Sequence, residues 1–212
     1  MRLYYSPNLN PRVAVAAARY LNANVDYVRC SPRHPNHEAA FRMINPNALA
    51  PILEDGEDRL WETDAIVCRL SALAGSDFWR TDDSQPRMIQ WVSWATHHLN
   101  SAASVLYFER LIRPTFSEVA APAKVIDAAV SDFTTHAAIL NAALEGRTWL
   151  LGNRLSYADF RAATALPFAE GAGLPLADFA EIRRWNDQLM DLDAWRDPFA
   201  GLDKTADAPL QN

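Results

Sequence analysis

Cysteine is scarce in this chain: Cys30 and Cys68 are the only two, far apart and in no Cys-x-x-Cys spacing. That excludes a disulfide framework and a structural zinc site, and leaves the expectation of two reduced thiols. Lysine is nearly absent and the arginines are scattered, within a formal net charge of -6 at pH 7. Without a basic run, nucleic acid is not an expected partner. No segment reaches the roughly twenty consecutive apolar residues of a membrane span. The start, Met1 to Pro7, reads as a strand entering a turn and lacks the apolar stretch of a signal peptide. A cytoplasmic protein with no membrane partner is therefore expected. His97 and His98 are adjacent and so do not have metal-site spacing, and no metal is expected.

Half of the 212 residues are hydrophobic, enough for one large core or two smaller ones. Leu3 to Tyr5 reads as a short strand. Asn10-Pro11 reads as a helix start, with asparagine as cap and proline in the first turn, leading into Val13 to Leu21. Val25 to Val28 is a second strand, parallel to the first because a helix crosses over between them. A proline-containing loop, Cys30 to Asn36, precedes a short helix over Glu38 to Ile44. Pro51 to Leu53 and Arg59 to Trp61 are strands joined by the Asp55-Gly56 hairpin signal. Thr63 is read as the cap of a helix ending at Ala74. The order is βαβαββα.

Beyond Gly75 the pattern becomes helical. A long helix is expected over Arg87 to Arg113, stopped before Pro114, and another from Pro122 to about Leu144. Ser156 and Asp159 form a capping-box pattern, with Leu155 and Phe160 as a hydrophobic staple. The division predicted is residues 1–77, a linker at 78–86, and an all-helical part at 87–212.

Two phrases carry more chemistry than the rest: Asn45-Pro46-Asn47-Ala48-Leu49-Ala50-Pro51-Ile52-Leu53, and Leu60-Trp61-Glu62-Thr63-Asp64-Ala65-Ile66. A proline opening a short apolar strand cannot donate to the ladder and belongs at the strand's first position or in a tight turn. A helix start with free N–H groups is a carboxylate site. In this order and spacing the two phrases resemble the glutathione-binding half of the glutathione S-transferase family. Trp149 to Asp159 resembles the family's buried helix start, a folding element, and Phe179 to Trp185, leading to Trp195, resembles its last helix.

That resemblance implies a thioredoxin-like domain followed by a helical domain, glutathione as co-substrate, a hydrophobic electrophile as second substrate, and a homodimer. It implies that the Ala50–Pro51 bond is cis, with the backbone at that step offered to the cysteinyl part of glutathione and Glu62 and Thr63 holding the γ-glutamyl end. His37 falls where some members direct a basic residue toward the glycyl end. Leu49 departs from the lysine or glutamine common before this Ala-Pro step.

The family's thiol-activating residue lies in the loop that is here Tyr5-Ser6-Pro7-Asn8-Leu9-Asn10-Pro11-Arg12-Val13, which has no cysteine. Tyr5, Ser6, Asn8 and Asn10 are all candidates. Lowering a thiol by two units from about 8.5 takes roughly 2.7 kcal/mol of preferential anion stabilisation, within reach of a donor at a helix N-terminus. Arg12 is open to two readings, contact with a glutathione carboxylate or simple exposure to solvent. The electrophile pocket is expected against the long helix, from Trp94, His98 and Tyr107 among Trp91, His97 and Ser101. His97 and His98, about a hundred degrees apart on an α-helix, are not expected to line one wall. A non-catalytic binding or regulatory module, and a glutathione-dependent isomerase or lyase, are the alternatives.

Overall fold

A computed structural model of the chain describes residues 1–202. Two compact units emerge: Met1–Trp79 together with residues 193–202, and Arg80–Leu192. The return of the C-terminal stretch to the first unit is not part of the predicted division at 77 and 87.

In the first unit a four-stranded sheet has the order β2-β1-β3-β4. β1 (Arg2–Tyr5) runs parallel to β2 (Asp26–Arg29), with α1 (Leu9–Tyr20) as the crossover. α2 (Glu38–Ile44) leads to β3 (Ile52–Asp55), which is antiparallel to β1 and to β4 (Asp58–Trp61). α3 (Thr63–Leu73) closes the element order, which is the thioredoxin-like one. Alternation along β1 sorts its side chains. Leu3 and Tyr5 pack with Ala14, Val15 and Ala18 of α1 and Ile66 and Leu70 of α3. Tyr4 faces the other way, onto Phe41 of α2, Cys30 and Ile52.

The segment from Asp193 caps the α1 side of this unit. α10 (Asp193–Arg196) packs on α1, Trp195 is fully buried, and Phe199 stacks on Tyr5 with ring centroids 5.3 Å apart. Residues 78–86, the expected linker, include buried side chains. Phe78 is buried against Tyr20. Arg80, also buried, donates to the carbonyls of Arg154 and Leu155 within the second unit.

Three helix features differ from the sequence reading. The cap of α1 is Asn8, whose Oδ1 accepts from Leu9 N at 2.7 Å, and Asn10 lies inside the first turn. Pro11 fits there because the first-turn N–H groups have no intrahelical partner to lose. The cap position of α3 is Glu62, in the left-handed region at φ 71°, and Thr63 is the first helical residue. β4 runs to Trp61, so only one residue turns strand into helix.

The long helix begins at Gln85 and is not uniform. α4 (Gln85–Trp94) passes through a π turn at Ala95–Leu99 into α5 (Asn100–Tyr107), then a second π turn at Phe108–Ile112 and a 3₁₀ turn at Arg113–Thr115 that contains Pro114. α6 (Ala123–Leu144), α7 (Tyr157–Ala162), α8 (Ala169–Ala172) and α9 (Ala180–Met190) complete the second unit.

Asp159 organises the head of α7. Its Oδ1 accepts from Leu150 N (2.8 Å) and Trp185 Nε1 (3.1 Å), and its Oδ2 accepts from Ser156 N (3.0 Å) and Ser156 Oγ (3.1 Å). The capping box is formed as its sequence pattern predicts. No helix among the described residues is long and apolar enough to cross a membrane.

Candidate functional site in the first unit

The β1–β2 ladder sets the site's position. Cys30 N donates to Tyr5 O at 2.8 Å, so the chain leaving β2 and the chain leaving β1 emerge side by side. Between them and the segment before β3 opens a cleft of about 460 Å³. Ser6, Asn8 and Asn10 border it at the head of α1, Arg33 and His34 in the loop after β2, and Leu49 and Ala50 before β3. Four candidates of the α1 loop thus part company: Ser6, Asn8 and Asn10 share the cleft, while Tyr5 is buried in the apolar core against Phe199.

The geometry at Asn8 is chemically specific. With Oδ1 accepting from Leu9 N, the side-chain amide has its acceptor end fixed to the helix. Its NH₂ has no acceptor among the described residues and is the group left to donate to a ligand.

On the opposite side, the Ala50–Pro51 bond is cis. The approach to it is shaped by Asn45, a buried residue at the end of α2. Its Nδ2 donates to Leu49 O at 2.8 Å, and its Oδ1 accepts from Asn47 N at 3.0 Å. Ala48, between them, has φ 48°, a left-handed conformation that alanine adopts at a cost. The sequence gives Asn45 no visible role: an asparagine followed by Pro-Asn marks a turn but not the residue that ties the turn together. Leu49 is 45% exposed and borders the cleft.

The α3 head is joined to the α1 head. Thr63, 2% exposed, donates from Oγ1 to Asn10 O at 3.2 Å. Glu62 is exposed, its left-handed backbone fixing the turn from β4 into α3. His37 starts α2, half-buried, with its ring centroid 5.0 Å from that of His34 on the cleft.

Arg12 meets neither of its two expectations. It is 4% exposed, its Nη2 donates to Trp195 O, and its guanidinium lies 4.8 Å over the Trp195 ring. Burial pushes its pKa down to about 10, against the opposing effect of Asp197. It anchors the C-terminal stretch, a partner 183 residues away that no local pattern announces.

In the second unit a separate cleft of about 470 Å³ runs along α5, α6 and the π turn. His97 and His98 both border it, contrary to the expectation from α-helical spacing. The π turn places an extra residue in the turn, so neighbouring side chains diverge less. Trp94 packs on Trp91, with its ring 6.1 Å from that of His98. Tyr107 is buried against Phe168 and does not border this cleft.

A thioredoxin-like unit with a cis-proline cleft, joined in one chain to a helical unit, defines the architecture of a glutathione-linked enzyme class. Residues 1–68 match the model for the glutathione S-transferase N-terminal domain, and residues 123–202 that for the C-terminal domain. Glutathione S-transferase GstB of Escherichia coli (strain K12) is 30% identical over 167 residues, which cover 76% of this chain and 78% of that one. Among solved structures, the theta class glutathione S-transferase of the citrus canker pathogen Xanthomonas axonopodis pv. citri, with glutathione bound, superposes with a TM-score of 0.82. It is 21% identical, over 98% of each chain. Human glutathione-S-transferase T1-1 in its apo form gives 0.84 at 21% identity, over 98% of this chain and 91% of that one. The chain belongs to the glutathione S-transferase family.

Proposed function

We propose that this chain is a glutathione transferase whose first-unit cleft holds glutathione, lowers its thiol pKa and presents the thiolate to a hydrophobic electrophile. The observation that carries this reading is the sharing of one cleft by Asn8 and Leu49-Ala50, the latter running into the cis Ala50–Pro51 bond. Backbone groups beside a cis-proline suit a cysteinyl peptide unit. Asn8, with its amide NH₂ left to donate, suits a sulfur held at the positive end of α1. Ser6 and Asn10 border the same space.

In this reading Glu62 and Thr63 receive the γ-glutamyl end, as the tie from Thr63 to the α1 head supports. His37, beside His34, takes the glycyl end. The helical unit holds the electrophile, with Trp94 as its first aromatic contact. The active species is a homodimer in the cytoplasm. Conjugation requires only the thiolate, whereas thiol–disulfide exchange through an enzyme cysteine would need one in this loop, and residues 5–13 have none.

Two observations favour a second reading, a glutathione-binding module without turnover: the lack of a cysteine in the loop, and the apolar Leu49 on the cleft. An isomerase or lyase would use the same thiolate. Retention on immobilised glutathione and a rise in Tm at millimolar glutathione are expected. Absence of both would refute the proposal, and binding without conjugation of any electrophile in a panel would select the second reading.

A further inference from the structure

All five histidines of the chain fall into two groups, His34 with His37 and His97, His98 with His136. The second group lies in the helical unit and has no part in the glutathione reading of the first-unit cleft. His98 comes from the π turn and His136 from α6, so two separate helices bring the imidazoles together. Their ring centroids are 5.1 Å apart at an interplanar angle of 41°. Two imidazoles bound through nitrogen at about 2.1 Å to one tetrahedral ion place their centroids roughly 5 Å apart.

Nδ1 of His136 is shielded from solvent and has no hydrogen-bond partner among the described residues. An imidazole nitrogen that makes no hydrogen bond to the protein keeps its lone pair for a metal ion. The cleft that both rings border, about 470 Å³, gives an ion an entry path and room for water or a small ligand. Asp132, one turn before His136 on α6, and His97 border the same cleft and can hold metal-bound water by hydrogen bonds; Lys124 is the opposing positive charge.

We propose that His98 and His136 form a binding site for a borderline divalent transition metal, Ni²⁺, Cu²⁺ or Zn²⁺. No group of three or more His, Cys, Asp and Glu suited to a metal occurs among the described residues. The protein therefore supplies two ligands, and solvent or a bound small molecule fills the other positions. Two imidazoles without thiolate or clustered carboxylate select this class over Ca²⁺ and Mg²⁺.

The other pair is the built-in control. His34 and His37 have a similar separation, 5.0 Å. There Nδ1 of His37 is likewise shielded and without a partner among the described residues, but Nδ1 of His34 already accepts from Asn36 N at 3.3 Å. That pair also sits on a loop and a helix start, whereas His98 and His136 project from two helices, which fix a site more firmly.

The test is calorimetric titration of untagged, glutathione-free protein with NiCl₂, CuCl₂ and ZnCl₂, with CaCl₂ and MgCl₂ as controls. One site per chain is expected for at least one of the first three, weakened about tenfold or more by either His98→Ala or His136→Gln and unchanged by the double variant His34→Ala/His37→Ala. His98 is exposed, so His98→Ala tests the site without disturbing the core. The absence of binding would overturn the proposal. So would binding that survives both His98→Ala and His136→Gln, or binding lost only in the His34/His37 variant.

Discussion

Thr63 Oγ1 donates a hydrogen bond to the main-chain carbonyl of Asn10, 3.2 Å away and 53 positions earlier in the chain. The contact ties the first residue of α3 to the first turn of α1, the two helix starts that the proposed site uses. Thr63 is buried, so its hydroxyl has no water to replace that partner. Thr63→Val keeps the shape and removes the donor. Glutathione affinity is expected to fall about fivefold, corresponding to about 1 kcal/mol for the lost bond, with Thr63→Ser retaining most of it. Affinity in Thr63→Val equal to that of the parent protein would separate this contact from binding.

Asn8 has two roles that substitution can separate. As the cap of α1 it accepts from Leu9 N, and Asn8→Ala is expected to cost about 1 kcal/mol of stability. Asn8→Asp keeps an acceptor at the cap and adds a charge favourable to the helix dipole, so its Tm is expected to equal or exceed the parent's. The same aspartate lacks the amide donor and puts a negative charge beside the thiolate. Glutathione conjugation in Asn8→Asp should therefore fall while the fold is intact.

Asn45 holds the turn that delivers Leu49 and Ala50 to the cleft. Asn45→Ala removes these bonds, and a third that Asn47 Nδ2 donates, from a buried position. A loss of about 2 kcal/mol in stability by denaturant titration is expected, together with weaker retention on immobilised glutathione. Weaker retention in this variant with Leu49→Ala still retained normally would assign the effect to backbone placement rather than to the leucine side chain.

In the second unit Asp159 accepts four hydrogen bonds while fully buried. Asn in its place must turn an NH₂ toward one of the donors, and about 2 kcal/mol of destabilisation is expected for Asp159→Asn. Burial raises the Asp159 pKa, with the N–H donors opposing. With the folded-state pKa above the unfolded one, the native state binds more protons between the two values. The carboxyl's contribution is complete below the unfolded pKa and is lost as pH rises through the folded one. The parent's unfolding free energy should thus fall as pH rises through the folded-state value, measured by denaturant titration at a series of pH values.

Local patterns made much of this legible. The four strands lie within one or two residues of where the sequence puts them, the last two on either side of the Asp55-Gly56 turn signal, and the Ser156–Asp159 capping box is formed as its spacing predicts. What escaped depends on features without a local signature. Nothing marks Glu62 and Ala48 as left-handed, since neither is glycine. Asn8 and Asn10 are equally good caps on paper, and Pro11 tolerates either. The π turn that brings His97 and His98 to one cleft leaves no trace in the apolar pattern. Arg12 looked like a solvent or ligand residue because its partner, Trp195, lies at the far end of the chain.

The proposed function turns on the α1 head stabilising a glutathione thiolate through the Asn8 amide. The most direct measurement is a titration of bound glutathione followed by the ultraviolet absorbance of its thiolate, in the parent protein and in Asn8→Ala. The expected thiol pKa is well below the free value of about 8.5 in the parent and returns toward that value in Asn8→Ala. A bound thiol that titrates at its free value in the parent, or one equally depressed in Asn8→Ala, would contradict it.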